Sequence, residues 1–216
     1  MKYQFYMDKT QEKIYSKFID YVLLNKKRPA SIHAFMESLK LKEGTFYKYF
    51  HSFGELEKEF WKSVFDKTIQ DIQQQEVYAS YSVNEKLLAF YFSWIETLKD
   101  YREYLKYVIG EERIYQLYPD NFEAFKKAFE DYTSTLVDEG LATDEIADRM
   151  FLTDKYKYAL WFQPVSIAKF WVKDKSKNFE DTDALIEKTV NFSFDLMRSN
   201  GIDSFFDLAK FHIQHF

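Results

Sequence analysis

Apolar residues recur at helical spacing along almost the whole chain. After Asp8, the residues Ile14, Phe18 and Val22 stand four apart, which is typical of a helix with one buried face. Ser52 and Ser82 are each followed three residues later by glutamate, which is the capping-box signature of a helix start. No segment alternates as a strand would. The pattern therefore predicts an all-α protein of about nine or ten helices.

The first fifty residues divide into three short helices. The first is expected to end near Leu24, with Asn25 in the left-handed conformation that closes helices. Ser31 is a suitable N-cap for a second helix, and a third covers 42 to about 50. Together they predict a helix-turn-helix head.

Longer helices follow. The segment "EKLLAFYFSWIETL" is apolar nearly all round and is predicted to lie centrally in a larger helical body. A helix launched near Asp120 should stop at Gly140, and Thr143 should begin another that Pro164 kinks or interrupts. Asp181 and Thr182 are predicted to cap a late helix, and a last amphipathic helix should run to Phe216.

Composition supports this interpretation. The chain of 216 residues is 46% hydrophobic and 20% aromatic, with five glycines, three prolines and no cysteine. Few turn-forming residues argue against an all-β fold, and the lack of thiols excludes disulfides and cysteine chemistry. With no signal peptide and no apolar run near the ~20 residues of a membrane span, we expect a soluble cytoplasmic protein.

Charge is unevenly distributed. Residues 1–52 hold ten Lys or Arg against five Asp or Glu, although the whole chain has a net charge of -5. A basic head on an acidic body suggests a head that meets a polyanion, although short segments also vary by a few charges by chance.

The stretch "LKEGTFYKYF", residues 41–50, mixes aromatic and basic residues. On a third helix, Phe46 and Phe50 would hold it against the first two, and Leu39 and Leu41 would bury the turn. Gly44 would permit close approach of the backbone to a partner. The outward positions are Lys42, Glu43, Thr45, Tyr47, Lys48 and Tyr49. An acid facing DNA must accept from a cytosine or pair with a neighbour, and we expect Glu43 to pair with a lysine.

The run "SIHAFMESLKLKEGTFYKYFHSFGELEKEFW" resembles the DNA-binding head of the TetR family of bacterial regulators. The family pattern has a Ser or Thr opening helix 2, then approximately Gly-Val-Ser-x-Gly-Thr-Leu-Tyr-x-His-Phe, then Lys-x-x-Leu. The resemblance implies a DNA-binding domain over residues 1–52 and a helical ligand-binding and dimerisation domain over 53–216. The DNA-binding residues it implies are Lys27, Arg28, Ser31, Lys42, Gly44, Thr45, Tyr47, Lys48 and Tyr49.

The chain departs from the family pattern at several places. The Gly-Val-Ser turn reads Lys40-Leu41-Lys42, so helix 3 lacks its serine cap, which typically costs about 1 kcal/mol. Tyr49 replaces the histidine, and Phe53 replaces a lysine that usually touches phosphate. These changes leave open an alternative, a TetR-like fold that no longer reads DNA and binds lipid or another small molecule.

The body is rich in aromatic residues, which either form a core or surround an apolar cavity. The family resemblance implies such a pocket for a small apolar or aromatic effector, with candidates Phe90, Tyr91, Trp94, Tyr107, Phe125, Phe129 and Tyr132. The segment "FWVKDKSKNFEDTDALIEKTVNFSFDL" resembles the C-terminal domains of one TetR subgroup. By the family's mode of dimerisation, the predicted homodimer interface contains Trp161, Ile167, Phe170, Ile186, Val190 and Phe194.

Catalytic and metal signatures are missing from the sequence. There is no HExxH, Walker loop or GxSxG motif, so we predict that the chain is not an enzyme and needs no cofactor. His212 and His215 stand three apart and could face one ion, but two ligands make a poor site. We therefore predict no metal site and no membrane partner.

Overall fold

A computed structural model describes residues 8–109, 120–149 and 153–198. The described residues form α-helices joined by short 3₁₀ turns, with no strand among them, so the predicted all-α class is confirmed. The helices are α1 (Lys9–Asn25), α2 (Ile32–Ser38), α3 (Glu43–Phe46), α4 (Phe53–Gln73), α5 (Val83–Leu98), α6 (Arg102–Ile109), α7 (Glu123–Ala142), α8 (Tyr156–Leu160), α9 (Phe162–Trp171) and α10 (Glu180–Arg198). The predicted last helix and both C-terminal histidines lie outside the described residues.

Two compact units divide the chain, and neither is continuous in sequence. The first comprises Met1–Asp66 and Leu98–Lys126, and the second comprises Lys67–Thr97 and Lys127–Phe216. The predicted domain division at residue 52 uses a different criterion, the end of the helix-turn-helix, and stays a prediction.

The first unit has an aromatic core formed by α1, α4, α6 and the segment that follows α3. The Tyr15 ring lies 5.2 Å from that of Phe50 and 5.5 Å from that of Phe60 on α4. Farther along α4, Trp61 stacks on Tyr104 of α6 at 5.6 Å. Such ring pairs add about 0.5–1.5 kcal/mol each beyond the burial of their area. These pairs hold α1 and Phe50, which follows α3, against α4, and they hold α4 against α6.

The second unit has a core in which α5, α7 and α9 meet. The Phe90 ring lies 5.5 Å from that of Phe129, which is 5.9 Å from that of Trp161. A buried polar chain crosses this core. The Tyr91 hydroxyl donates to Gln163 Oε1 at 3.0 Å, and Gln163 Nε2 donates to the Ser193 hydroxyl at 2.5 Å. Because an unpaired polar group would be costly here, the chain fixes the register of α5, α9 and α10.

Most predicted helix starts are confirmed. Ser31 caps α2 by accepting from the Ala34 N–H at 3.1 Å. Ser82 and Glu85 form the reciprocal capping box, with bonds of 2.8 and 3.3 Å between each side chain and the other's N–H. At Ser52 only half of the box forms, because the Glu55 carboxylate accepts from the His51 N–H instead.

Some predicted helix ends are wrong. Lys26, not Asn25, is left-handed, with φ 54°, because the Asn25 amide donates to Tyr21 O inside the helix. Thr143 does not begin a helix. Its N–H and hydroxyl donate back to Glu139 O, which closes α7 two residues beyond the predicted stop at Gly140. Among the described residues, the next α-helix starts at Tyr156 and is interrupted at Trp161, so Pro164 lies in the first turn of α9.

Gly140→Ala should lower the free energy of unfolding by about 1–3 kcal/mol, despite alanine's higher helix propensity. A Cβ at Gly140 would lie 2.7 Å from Ile146 Cδ1 and 3.1 Å from Val83 Cγ2. The control is Gly54→Ala in α4, where a Cβ would lie 3.7 Å from the Ser52 hydroxyl oxygen. Urea unfolding of both variants tests this, and equal stability of the Gly140 variant and the wild type would contradict it.

Candidate nucleic-acid interface

The turn between α2 and α3 is built on a left-handed lysine. Lys40 has φ 57°, and its N–H donates to Glu37 O at 2.9 Å while the Leu41 N–H donates to Met36 O at 2.9 Å. These bonds satisfy the last carbonyls of α2, as a C-terminal glycine commonly does. Lys40 thus takes the conformation for which the family pattern uses glycine, at a cost of about 1 kcal/mol.

The start of α3 has no side-chain cap, as the sequence indicated. Lys42 is the N-cap residue and makes no side-chain bond, although the Thr45 N–H donates to Lys42 O at 2.9 Å. Only one turn, Glu43–Phe46, is regular helix, and turns continue to Tyr49. Tertiary packing must therefore hold this segment, because one helical turn is not stable alone.

Phe53 supplies much of that packing. Its ring stacks on Phe18 of α1 at 5.3 Å and meets Phe35 of α2 at 5.6 Å and Phe46 of α3 at 5.5 Å, both edge-on. Phe46 is fully buried, and Phe50 is 1% exposed. The aromatic residue that replaces the family lysine therefore joins all three short helices to α4.

Exposed lysines, among them three of the predicted contact residues, lie on the outer side of the head. Lys27, Lys42 and Lys48 are exposed and form no ion pair with any residue that the structure describes. Gly44 is also exposed, and nothing lies within 4 Å of where its Cβ would be. The surface between Lys42 and Lys48 is thus positive and open to close approach.

Glu43 is held by two partners on this surface. One carboxylate oxygen lies 3.1 Å from His33 Nδ1, and the other accepts from the Tyr47 hydroxyl at 3.1 Å. The hydrogen bond to Glu43 raises the pKa of Tyr47. The expectation of a lysine partner was wrong, because a histidine on α2 and a tyrosine one turn along are in reach instead.

Other predicted contact residues also have partners within the chain. The Tyr49 hydroxyl donates to the Asp8 carboxylate that caps α1, which lowers the pKa of Asp8 and raises that of Tyr49. Arg28 pairs with the buried Glu57 of α4, while about half of its side chain stays exposed. Thr45 is half-buried, and the Ser31 hydroxyl is used as a cap. The cap at Ser31 was predicted from the sequence, but the intramolecular partners of Arg28 and Tyr49 were not.

The predicted effector residues are divided between the two units. Phe90, Tyr91, Trp94, Phe129 and Tyr132 belong to the second, where their rings pack 5.2–6.2 Å from one another. Tyr107 and Phe125 belong to the first, and the Tyr107 hydroxyl donates to Lys26 O at 3.0 Å. The Tyr132 hydroxyl donates to Lys86 O at 3.2 Å and lies 3.0 Å from that of Tyr78.

The six predicted interface residues differ in burial. Trp161, Ile167, Ile186, Val190 and Phe194 are at most 3% exposed within the chain itself, whereas Phe170 is 41% exposed. Helices α8, α9 and α10 carry other exposed apolar side chains that were not selected from the sequence, namely Tyr158, Phe162, Phe192 and Leu196. Each lies one to three residues from a selected one, so a slightly different helical phase would have found them.

Metal and membrane features are absent from the described residues. No group of three His, Cys, Asp or Glu side chains there could hold an ion. No helix in the described ranges is long and apolar enough to cross a bilayer.

The head consists of three helices, with a left-handed turn before the third and lysines on its outer side. This arrangement places the protein in the helix-turn-helix class. A family model described as "Tetracyclin repressor-like, C-terminal domain" matches residues 86–212, more than half of the chain. The chain therefore belongs to the TetR family of regulators.

Solved structures agree with this assignment at the level of the fold. The chain is similar to a bacterial regulatory protein in the TetR family from Rhodococcus RHA1, with a TM-score of 0.52 and 12% identity. The match covers 88% of this chain and 98% of that one. No curated protein matches the chain by sequence.

Proposed function

We propose that the protein is a ligand-responsive transcriptional regulator, a repressor that binds a palindromic operator as a homodimer in the cytoplasm. The observation that carries the proposal is the open basic surface of the head, where Lys42 and Lys48 flank the unobstructed Gly44. Lysines contact phosphate groups, and an exposed glycine lets the backbone approach them.

In this proposal α3 of each subunit enters the major groove, with the half-sites about one helical turn, ~34 Å, apart. Lys27, Lys42 and Lys48 bind the phosphate backbone and supply the salt-dependent part of the affinity. Glu43 faces the bases with its carboxylate oriented by His33 and Tyr47. A carboxylate can accept from a cytosine amino group, so Glu43 favours cytosine at one operator position.

Dimerisation through α8, α9 and α10 would cover the exposed apolar side chains of those helices. Phe162 is 53% exposed and Phe192 is 63% exposed, which is unusual for phenylalanines in a monomer. A twofold axis would place the same patch of both subunits against each other. The six residues predicted from the sequence would then support this surface, with Phe170 in the contact itself.

The effector, a small apolar or aromatic molecule, is proposed to bind in the second unit beside the Phe90–Phe129 cluster. Tyr91, Gln163 and Ser193 offer polar groups that could orient it. Its binding would favour a spacing of the two heads that does not fit both half-sites, and so would lower operator affinity.

The double variant Lys42→Ala/Lys48→Ala should weaken DNA binding about a hundredfold or more at about 0.1 M salt. Four phosphate contacts per dimer would be lost, so the slope of log affinity against log salt should fall by about 3 to 4. Gel-shift titrations with genomic fragments, including the gene's own upstream region, measure both quantities.

The matched control is Lys127→Ala/Lys173→Ala, which removes two exposed lysines from the second unit and should leave binding nearly unchanged. Failure of the wild type to bind any fragment, or equal binding by the Lys42/Lys48 variant, would rule out this function.

The alternative of a lipid-binding module was motivated by Phe53 and by the altered turn before α3. Because Phe53 packs between α1, α2 and α3, its replacement of a lysine has a structural reason that does not require a loss of DNA binding. Native mass spectrometry separates the two functions, since a tightly retained lipid together with no DNA affinity would favour the alternative.

A further inference from the structure

Helix α6 holds the loop between α1 and α2 through two tyrosines one helical turn apart. The Tyr107 hydroxyl donates directly to Lys26 O at 3.0 Å, at the residue where α1 ends in a left-handed turn. The Tyr104 hydroxyl donates to Glu57 Oε1 at 3.2 Å, and the other oxygen of Glu57 accepts from Arg28. Two residues of one loop are thus attached to one helix, Lys26 directly and Arg28 through Glu57.

The second attachment, from Tyr104 through Glu57 to Arg28, is buried at Tyr104 and Glu57 but not at Arg28. The Glu57 side chain is 4% exposed and Tyr104 is 1% exposed, while Arg28 is half exposed. A buried carboxylate must be paired, so Arg28 is the group that compensates its charge. The guanidinium of Arg28 is therefore committed to α4. Neither of the two lysines before it forms an ion pair in the described structure: Lys26 lies 6.0 Å from the centre of the Tyr107 ring, and its neighbour Lys27 is exposed to solvent.

The loop of residues 26–31 is important because it contains two proposed DNA-contact residues. Lys27 lies within it, and Ser31 at its end caps α2, so the position of the loop sets the position of both. A loop that moved freely would have to be ordered on binding, which lowers affinity. The tyrosine attachments remove part of that cost in advance.

We propose that Tyr104 and Tyr107 are positioning residues for DNA binding, which hold the loop of residues 26–31 where Lys27 and Ser31 meet the phosphate backbone. The inference rests on the proposed function. It also assigns Arg28 to positioning through Glu57, in place of the direct phosphate contact that the family resemblance implies.

DNA affinity gives the first test. The probe is the duplex that the wild-type protein enriches from a random-sequence library. Tyr104→Phe and Tyr107→Phe should each weaken binding about fivefold, the worth of one hydrogen bond. Tyr21→Phe on α1 is the control, because the Tyr21 hydroxyl makes no hydrogen bond with a described residue. Tyrosine variants that bind as tightly as wild type would overturn the inference and leave the proposed function intact.

Salt dependence distinguishes the two adjacent cations of the loop. Lys27→Ala should lower the salt slope by about 2 per dimer, whereas Arg28→Ala should weaken binding with little change of slope. If Arg28→Ala does not fold, because Glu57 is left unpaired, Arg28→Ala/Glu57→Gln replaces it. An equal fall in slope for Lys27 and Arg28 would assign Arg28 to phosphate and contradict its positioning role.

Hydrogen exchange in the free protein gives a test without DNA. Both tyrosine variants should exchange the amides of residues 26–31 several times faster than wild type, with the exchange of α5 and α10 unchanged. Unchanged exchange in the loop would show that the hydroxyls do not hold it, and would overturn the inference. If the wild type enriches no duplex, the proposed function fails, and with it the role of the tyrosines in DNA binding.

Discussion

Phe46→Ala should lower the free energy of unfolding by about 3–5 kcal/mol and abolish DNA binding. Phe46 is fully buried in α3, and its ring lies 5.5 Å from those of both Phe50 and Phe53. Truncation would leave a cavity at the junction of α2, α3 and α4. Because α3 is a single helical turn, its position depends on this contact more than on its own hydrogen bonds.

The adjacent Tyr47 provides the contrast. Its side chain is 48% exposed, so Tyr47→Ala should change stability by less than about 1 kcal/mol, through loss of the exposed bond to Glu43. It should still weaken DNA binding, because Tyr47 lies on the proposed contact surface. Urea unfolding and gel-shift titration of both variants check this. A Tyr47 variant as unstable as the Phe46 variant would contradict the division of the segment into a buried and an outward side.

Asp174→Ala should lower the free energy of unfolding by about 3 kcal/mol, because one carboxylate accepts four hydrogen bonds at the start of α10. Asp174 Oδ1 accepts from the N–H and hydroxyl of Ser176 at 2.7 and 2.6 Å. Oδ2 accepts from the N–H and hydroxyl of Thr182 at 3.0 and 2.5 Å. Thr182 is fully buried, so its N–H would lose a partner that water cannot replace. Thermal or urea unfolding at neutral pH measures the loss.

The same carboxylate predicts an acid dependence. Burial alone would raise the pKa of Asp174, but the hydrogen bonds from Ser176 and Thr182 outweigh it and lower the pKa to about 2. The unfolded chain, with the ordinary pKa of 3.8, takes up the proton first as the pH falls. The stabilisation is therefore complete above about pH 4 and is lost progressively towards pH 2.

Asp174→Asn is the control for this dependence, since it keeps the shape but does not titrate. The stability difference between wild type and this variant should shrink as the pH falls from about 4 to 2. A difference that stayed constant over that range would contradict the role of the charged carboxylate.

The elements that the sequence predicts well are those whose signals are local. Capping at Ser31 and Ser82 depends on residues three positions apart, and both caps form as expected. The start of α10 was placed at Asp181 and Thr182, but the helix begins at Glu180, and Asp174 bonds the Thr182 N–H from eight residues away. A bond across an intervening turn leaves no periodic trace in the sequence.

In the candidate site, too, local features could be predicted from the sequence and long-range contacts could not. The burial of Phe46 and Phe50 and the exposure of Lys42 and Lys48 follow from helical spacing, and the structure agrees. The partners of Arg28, Tyr49 and Tyr107 lie 29, 41 and 81 residues away in the chain, so only the folded molecule brings them together. These residues were predicted to bind DNA or the effector, because the sequence alone does not show their distant partners within the chain.

The open space at Gly44 has a practical consequence. The chain contains no cysteine, and a Cβ at this position would have nothing within 4 Å. Gly44→Cys would therefore carry a single spin label or fluorophore per subunit without displacing a neighbouring group. In the proposed homodimer, the distance between two such labels would report directly how far apart the two third helices stand, with and without a candidate effector.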